Sequence, residues 1–126
     1  MQIVDHKTQP TEEWRPGVLT RMQMSARTGA GQLCIFQQWC APGAGAPTHF
    51  HTVEEVLTVI EGQAELWVGD EWEIVSAGQS VFVPAGSRHG FRNSGVSTLH
   101  VQATLASPIF EALFEGQTEV TRRWLP

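Results

Sequence analysis

From Val18 to Ala26 the side chains alternate. Val18, Thr20, Met22 and Met24 fall on one face, and Leu19, Arg21, Gln23 and Ser25 on the other. A period of two marks a half-buried β-strand. Thr28 to Gly31 supplies a glycine-containing turn. Gln32 to Cys40 reads as the next strand, ended at Ala41-Pro42-Gly43 because proline cannot continue a ladder. Both faces of this strand are largely apolar apart from Gln37 and Gln38, so periodicity leaves open which face lines a core. Val53 to Ile60 is rich in β-branched residues and suits a buried strand. Gln63 to Val68 and Trp72 to Val75 flank Gly69-Asp70-Glu71, the pattern of a hairpin turn. Ser80 to Val83 runs into a turn at Pro84-Ala85-Gly86. Arg88 to Arg92 puts His89 and Phe91 on one face and both arginines, with Gly90, on the other. Thr98 to Leu105 alternates again, with Leu99, Val101, Ala103 and Leu105 together. Many short strands at regular spacing predict an antiparallel sandwich or barrel.

The two ends read differently. Thr11 to Trp14 has the form of a capped turn, and Arg15-Pro16-Gly17 that of a bend. Near the C-terminus the period changes. Ser107 and Pro108 suit the N-cap and first position of a helix. Ile109, Phe110, Leu113 and Phe114 follow helical spacing, and Gly116 is a stop signal. The expectation is a short amphipathic C-terminal helix, Ser107 to Glu115, packed outside the strands. Gln117 to Pro126 carries Trp124 and shows no clear element.

The chemistry-bearing residues cluster between Gly43 and Asn93. His49 and His51 stand one residue apart, Glu55 follows four later, and His89 arrives from a separate segment. Three imidazoles and a carboxylate form a usable ligand set for one divalent transition metal, and Fe, Mn, Ni, Cu and Zn all accept it. Positions 49, 51 and 55 share odd parity, so a single strand would aim all three the same way and Glu54 the other. That argument selects Glu55 over Glu54 unless a bulge between 51 and 55 swaps the two.

These residues fall into two linked blocks: Gly43, His49, His51, Glu55 and Gly62, then Gly78, Pro84, Gly86, His89 and Asn93. The spacing resembles the two conserved motifs of the cupin superfamily at every fixed position, with a spacer, Gln63 to Ala77, near the short end of the family's range. The resemblance covers residues 43 through 93. It implies one small jelly-roll β-barrel over residues 1–126, with motifs at 43–62 and 78–93 and the metal inside. It implies no particular reaction, since one fold hosts many activities. Many cupins pair through an N-terminal strand, and Trp14, Met22 and Met24 make that region apolar enough to expect a homodimer.

Composition narrows the partners. The net charge is −5 with only eight basic residues, which argues against nucleic acid or an anionic membrane. Met1 to Pro10 has no apolar h-region and no stretch reaches membrane-spanning length, so a cytoplasmic protein is expected. Cys34 and Cys40 sit six residues apart in one strand, roughly 20 Å at about 3.3 Å per residue, too far for a disulfide. Two reduced core thiols are expected. There is no tyrosine, and the single lysine is Lys7. A phosphosugar enzyme would need a cationic clamp, for which Arg21 is the main candidate. His6 reads as a surface residue. His100 opposes the apolar face of its strand, so it is exposed or a polar pocket group, and Gln37 or Gln38 could also line the pocket.

Two function classes follow. A metal-dependent enzyme would use the roughly two coordination positions that four ligands leave open, as Lewis-acid or oxygenase chemistry on a small organic molecule requires. No covalent nucleophile is in prospect. A non-catalytic cupin would use metal and barrel to hold a small ligand. Catalysis needs a proton-transfer group beyond the ligands, and the sequence offers only His100, Glu54 and the glutamines.

Overall fold

In the computed structural model, which describes residues 1–126, alternation is visible as burial. On β3 (Cys34–Cys40), Cys34, Phe36, Gln38 and Cys40 are buried while Ile35, Gln37 and Trp39 are half-exposed. β10 (Leu99–Leu105) lies beside it and buries Leu99, Val101, Ala103 and Leu105. The remaining strands are β1 (Thr11–Arg15), β2 (Val18–Met24), β4 (Gly45–Phe50), β5 (Glu55–Glu61), β6 (Gln63–Val68), β7 (Glu71–Ser76), β8 (Gln79–Val83), β9 (His89–Asn93), β11 (Phe110–Phe114) and β12 (Thr121–Arg123). Helical structure is confined to single 3-10 turns at His6–Thr8 and Ala26–Thr28. No helix is long and apolar enough to cross a membrane.

The strands form two six-stranded antiparallel sheets. One runs β1-β2-β3-β10-β5-β8 and the other β12-β11-β4-β9-β6-β7. From β3 onward the chain passes between the sheets at almost every connection, staying in one sheet only for the β6–β7 and β11–β12 pairs. This is a jelly roll, and its inward faces enclose the apolar core. The β6–β7 hairpin turns on Gly69 and Asp70, with Gly69 at φ 60°, a value that suits glycine.

Three expectations need correction. The C-terminal helix at Ser107 to Glu115 is absent. Phe110–Phe114 is instead a strand, β11, held between β4 and β12. Ser107 does bond locally, its Oγ accepting from Ile109 N at 3.3 Å, but the turn goes no further. Thr11 to Trp14 is likewise an edge strand paired to β2, not a capped turn. The segment after Gln117 contains β12. In each case an available neighbouring strand satisfies the backbone better than a short isolated helix or turn.

β1, β3, β11 and the residue after β12 bring four aromatic rings together. Trp14 packs on Phe110, Phe36 and Trp124 with ring centroids 4.7 to 5.4 Å apart. Trp124 holds φ 62°, the only positive value outside glycine, and is buried. Cys34 and Cys40 are buried free thiols, as expected.

Candidate metal centre

His49 lies near the end of β4 and His51 just beyond it. The chain then turns through residues 52–54, and Glu55 opens β5 in the opposite sheet. His89 opens β9, beside β4, and pairs with His49 in register. The four residues therefore converge from both sheets onto one buried point. Glu55 is the carboxylate that points in, and Glu54 is exposed. The reason differs from simple parity. No single strand runs from His49 to Glu55, and the crossover between sheets does the aiming.

Each imidazole is fixed from behind. Nδ1 of His49 lies 2.7 Å from the Pro47 carbonyl, Nδ1 of His51 lies 2.7 Å from that of Glu111, and Nδ1 of His89 lies 2.9 Å from that of Ser87. A carbonyl can only accept, so each Nδ1 carries a hydrogen and each ring turns its Nε2 toward the centre, free to bind a cation or, without one, to share a proton with Glu55. The potential ligand atoms of His49, His51, Glu55 and His89 all lie within 4.8 Å of one another. His89 Nε2 stands 2.7 Å from Glu55 Oε1, and His51 Nε2 stands 3.6 Å from the same oxygen. His51 Nε2 is buried without a hydrogen-bond partner. A buried lone pair left over in a ring of oriented nitrogens is what a cation would satisfy, so the residues fit a metal.

The electrostatics agree. Burial alone would push the Glu55 carboxyl up, but the imidazoles of His51 and His89 beside it hold it down at about 2. Burial alone would lower His51, yet the Glu55 carboxylate beside it raises it above the usual value. Burial, with His89 next to it, pushes His49 down to about 3. Without a cation the site thus keeps a carboxylate and a neutral His49 while Glu55 favours a proton on His51, and a metal binding there takes that proton's place beside Glu55.

A pocket opens beside His49 and Glu55. Its unfilled space is about 310 Å³ including the mouth, but the centre of a water molecule can range over only about 20 Å³ of it. That is room for a water or two, so any larger occupant must be flat or must displace the walls. The walls are mostly apolar, with Trp14, Phe36, Phe110 and Phe114 among them. Gln38 is the glutamine that lines it, its amide bonded to Thr20 Oγ1 at 3.0 Å. Gln37 faces outward, bonding Gln102 and His100. His100 stacks on Trp39 at 4.6 Å on that outer face and is not a pocket group. Arg21 also lies there, 5.5 Å over the Trp39 ring, so it is no clamp on the site. The cation that does line the pocket is Arg15. Sequence reasoning missed it because the segment carrying it read as a bend. Arg88 sits over Phe50 and Arg92 pairs with Glu65, both away from the centre. Asn93 is buried and ties β9 to the carbonyls of Cys40 and Ser97 at 2.9 and 2.8 Å.

Comparison with known proteins agrees with this architecture. The family model for the Cupin domain matches residues 36–105. The chain is 35% identical over 81 residues to the HTH-type transcriptional regulator SutR of Escherichia coli K12, taking in 61% of this chain and 46% of the regulator. The chain spans about half the length of the curated relatives it matches. Among solved structures it resembles an RmlC-like cupin from Shewanella frigidimarina, with TM-score 0.71, 25% identity, and 86% and 95% of the two chains covered. It also matches the polyketide cyclase RemF of Streptomyces resistomycificus, with TM-score 0.76, 24% identity, and 94% and 88% covered, a likeness of fold.

Proposed function

The chain belongs to the cupin family, and from that premise we propose that it is a metal-dependent enzyme acting on a small organic molecule. His49, His51, Glu55 and His89 hold one divalent transition metal. The observation that carries this reading is the orientation of the three rings, each anchored at Nδ1 by a backbone carbonyl, with the potential ligand atoms of all four residues within 4.8 Å of one another. Bound there, the metal supplies Lewis-acid or oxygenase-like chemistry at its open positions. The chain's own part is to orient the three rings, to keep Glu55 a carboxylate and His49 neutral, and to enclose the pocket with apolar walls that limit water. Apart from the ligands, the only titratable group in the pocket is Arg15, so the chain provides no separate general base there. Substrates that are already acidic, such as enols, diketones and catechols, suit such a site. The test is O₂ consumption and product formation by iron- and copper-loaded protein across that panel. Turnover that disappears in His51→Ala supports the reading, and no turnover with any of them contradicts oxygenase chemistry.

A second reading is a small-ligand sensor, favoured by the 35% identity to a transcriptional regulator. Tight binding of a panel member without turnover would select it.

The assembly we propose is a homodimer, though not through the groups first expected. Trp14 and Met22 face the core. Leu19, Val56, Ile60 and Phe82 are exposed on β2, β5 and β8 of one sheet and offer it an apolar outer face, while Trp72 and Ile74 are exposed on β7 of the other. The reduced thiols are in keeping with a cytoplasmic setting.

A further inference from the structure

Arg15 is a cation without a counter-charge. Where β1 pairs with β2, the register slips between Glu13 and Arg15. A strand irregularity of this kind re-aims side chains, and here Trp14 and Arg15, neighbours in sequence, both line the pocket. One Nη1–H of Arg15 donates to the Gly45 carbonyl at 2.9 Å, and the guanidinium lies 5.4 Å from the Phe114 ring centroid. These contacts fix its plane. The other N–H donors have no protein partner. No carboxylate lies within salt-bridge distance of it, whereas Arg92, Arg122 and Arg123 pair with Glu65, Glu111 and Glu12. A partly buried guanidinium stays protonated, so it calls for an anion. The pocket offers none but Glu55, whose carboxylate is already engaged by His51 and His89. Around Arg15 the walls are Trp14, Phe36, Phe110 and Phe114, apolar faces that must part to admit a flat apolar body between them.

We propose that Arg15 is the specificity-determining residue of this pocket, binding the carboxylate of a small, flat, unsaturated or aromatic acid whose other end faces His49 and Glu55. The fork geometry of guanidinium matches a carboxylate with two parallel N–H···O bonds, which a neutral amide cannot return. Phe114 and Trp14 stack against the body of the ligand, and Gln38 offers it a further polar contact. The proposal rests on the metal reading only for which end of the ligand reacts. Arg15 would bind the carboxylate with or without a metal.

The test is calorimetric titration with two matched pairs, benzoate against benzamide and cinnamate against cinnamamide. It is run on zinc-loaded and on chelator-treated protein, with metal content measured in parallel. The wild type should bind each acid more tightly than its amide. Arg15→Gln should weaken the acids roughly 10- to 100-fold, leave the amides unchanged, and keep the same metal content. Arg15→Lys keeps the charge but loses the fork, and should weaken the acids by a smaller factor. It serves as the readout if Arg15→Gln melts below the assay temperature. The proposal is overturned if the wild type shows no preference for the acids, or if the preference survives Arg15→Gln. A preference that survives that change and vanishes with the zinc places the carboxylate on the metal instead. A protein that retains no zinc yet shows an Arg15-dependent preference would refute the metal reading and uphold this one.

Discussion

Gly45 has no room for a side chain. It opens β4 and pairs with Arg92 of β9, the strand pair that sets His49 against His89. A Cβ placed on it would press on the Phe91 carbonyl oxygen, far inside contact distance, and would lie 2.8 Å from the Phe91 carbonyl carbon and 2.9 Å from Arg92 Cα. All three obstacles are backbone, so no rotamer change relieves them. Restoring an ordinary 3.4 Å contact with the carbon alone requires 0.6 Å of separation, that is 3.4 less 2.8, and the oxygen demands more. Two backbone bonds flank the spot, Gly43 N to Asn93 O at 2.9 Å and Asn93 N to Ala44 O at 2.8 Å. The same displacement takes both to the limit of a hydrogen bond. Asn93 is buried, so its freed groups find no water, at a cost of about 1–3 kcal/mol each. Gly45→Ala should therefore lose about 2–5 kcal/mol, a large part of the roughly 5–15 kcal/mol available to a domain. With about 3–5 °C per kcal/mol at this size, Tm should fall by about 6–25 °C. The control is Gly31→Ala, where a Cβ meets nothing within 4 Å and φ is ordinary. It should be neutral or slightly stabilising. Urea and thermal unfolding of both variants decide the matter. A Gly45→Ala protein within 0.5 kcal/mol of wild type, on the roughly ±0.5 scale of harmless surface changes, would refute the close approach of β4 and β9.

Burial pushes the Cys34 thiol up to about 12 and the Cys40 thiol up to about 11, so both should resist alkylation at neutral pH until the protein is unfolded. Rapid labelling of native protein would contradict this. Because both sit above the usual thiol value of 9.0, the unfolded chain loses those protons first, and stability should decline as pH rises past 9.0. At the acid end, His49 at about 3 and Glu55 at about 2 both lie below their ordinary values of 6.5 and 4.5. The unfolded state then binds more protons, so the metal-free protein should lose stability as pH falls, from His49 below 6.5 and from Glu55 below 4.5. His51, raised instead, has its stabilising share fully present below 6.5 and changes nothing further there. A Tm flat from pH 7 to pH 3 would be inconsistent with this geometry. Light scattering should read twice the 13.9 kDa chain mass at micromolar concentration, and a monomer would end the dimer proposal.

Local pattern carried most of the barrel. The alternation of Val18 to Met22 and of Leu99 to Leu105 is reproduced as burial, and it fails at Met24, half-buried past a register slip against β3; on Cys34 to Cys40, where both faces are apolar, burial selects the face of Cys34, Phe36, Gln38 and Cys40. Where the pattern misled, the deciding partner was distant in sequence. Ile109, Phe110, Leu113 and Phe114 fit helical spacing, yet Leu113 and Phe114 pair with Phe50 and His49, some sixty residues earlier. A short apolar run cannot announce such a neighbour. The same blindness hid Arg15, whose place in the pocket depends on a register slip against β2. The ligand set was legible because two spaced motifs carry it. Its geometry was not, since Glu55 reaches His49 and His51 by a crossover between sheets and His51 is braced by Glu111 of β11.

The metal content of the protein tests the central claim most directly. Wild type, His51→Ala, Glu55→Gln and Glu54→Gln are purified without added metal, reloaded with one divalent ion, dialysed, and analysed by elemental mass spectrometry. The wild type and Glu54→Gln should each keep close to one ion per chain, while His51→Ala and Glu55→Gln lose most of it and remain folded. A wild type that keeps none, or a Glu55→Gln protein that keeps as much as wild type, would contradict the four-residue centre.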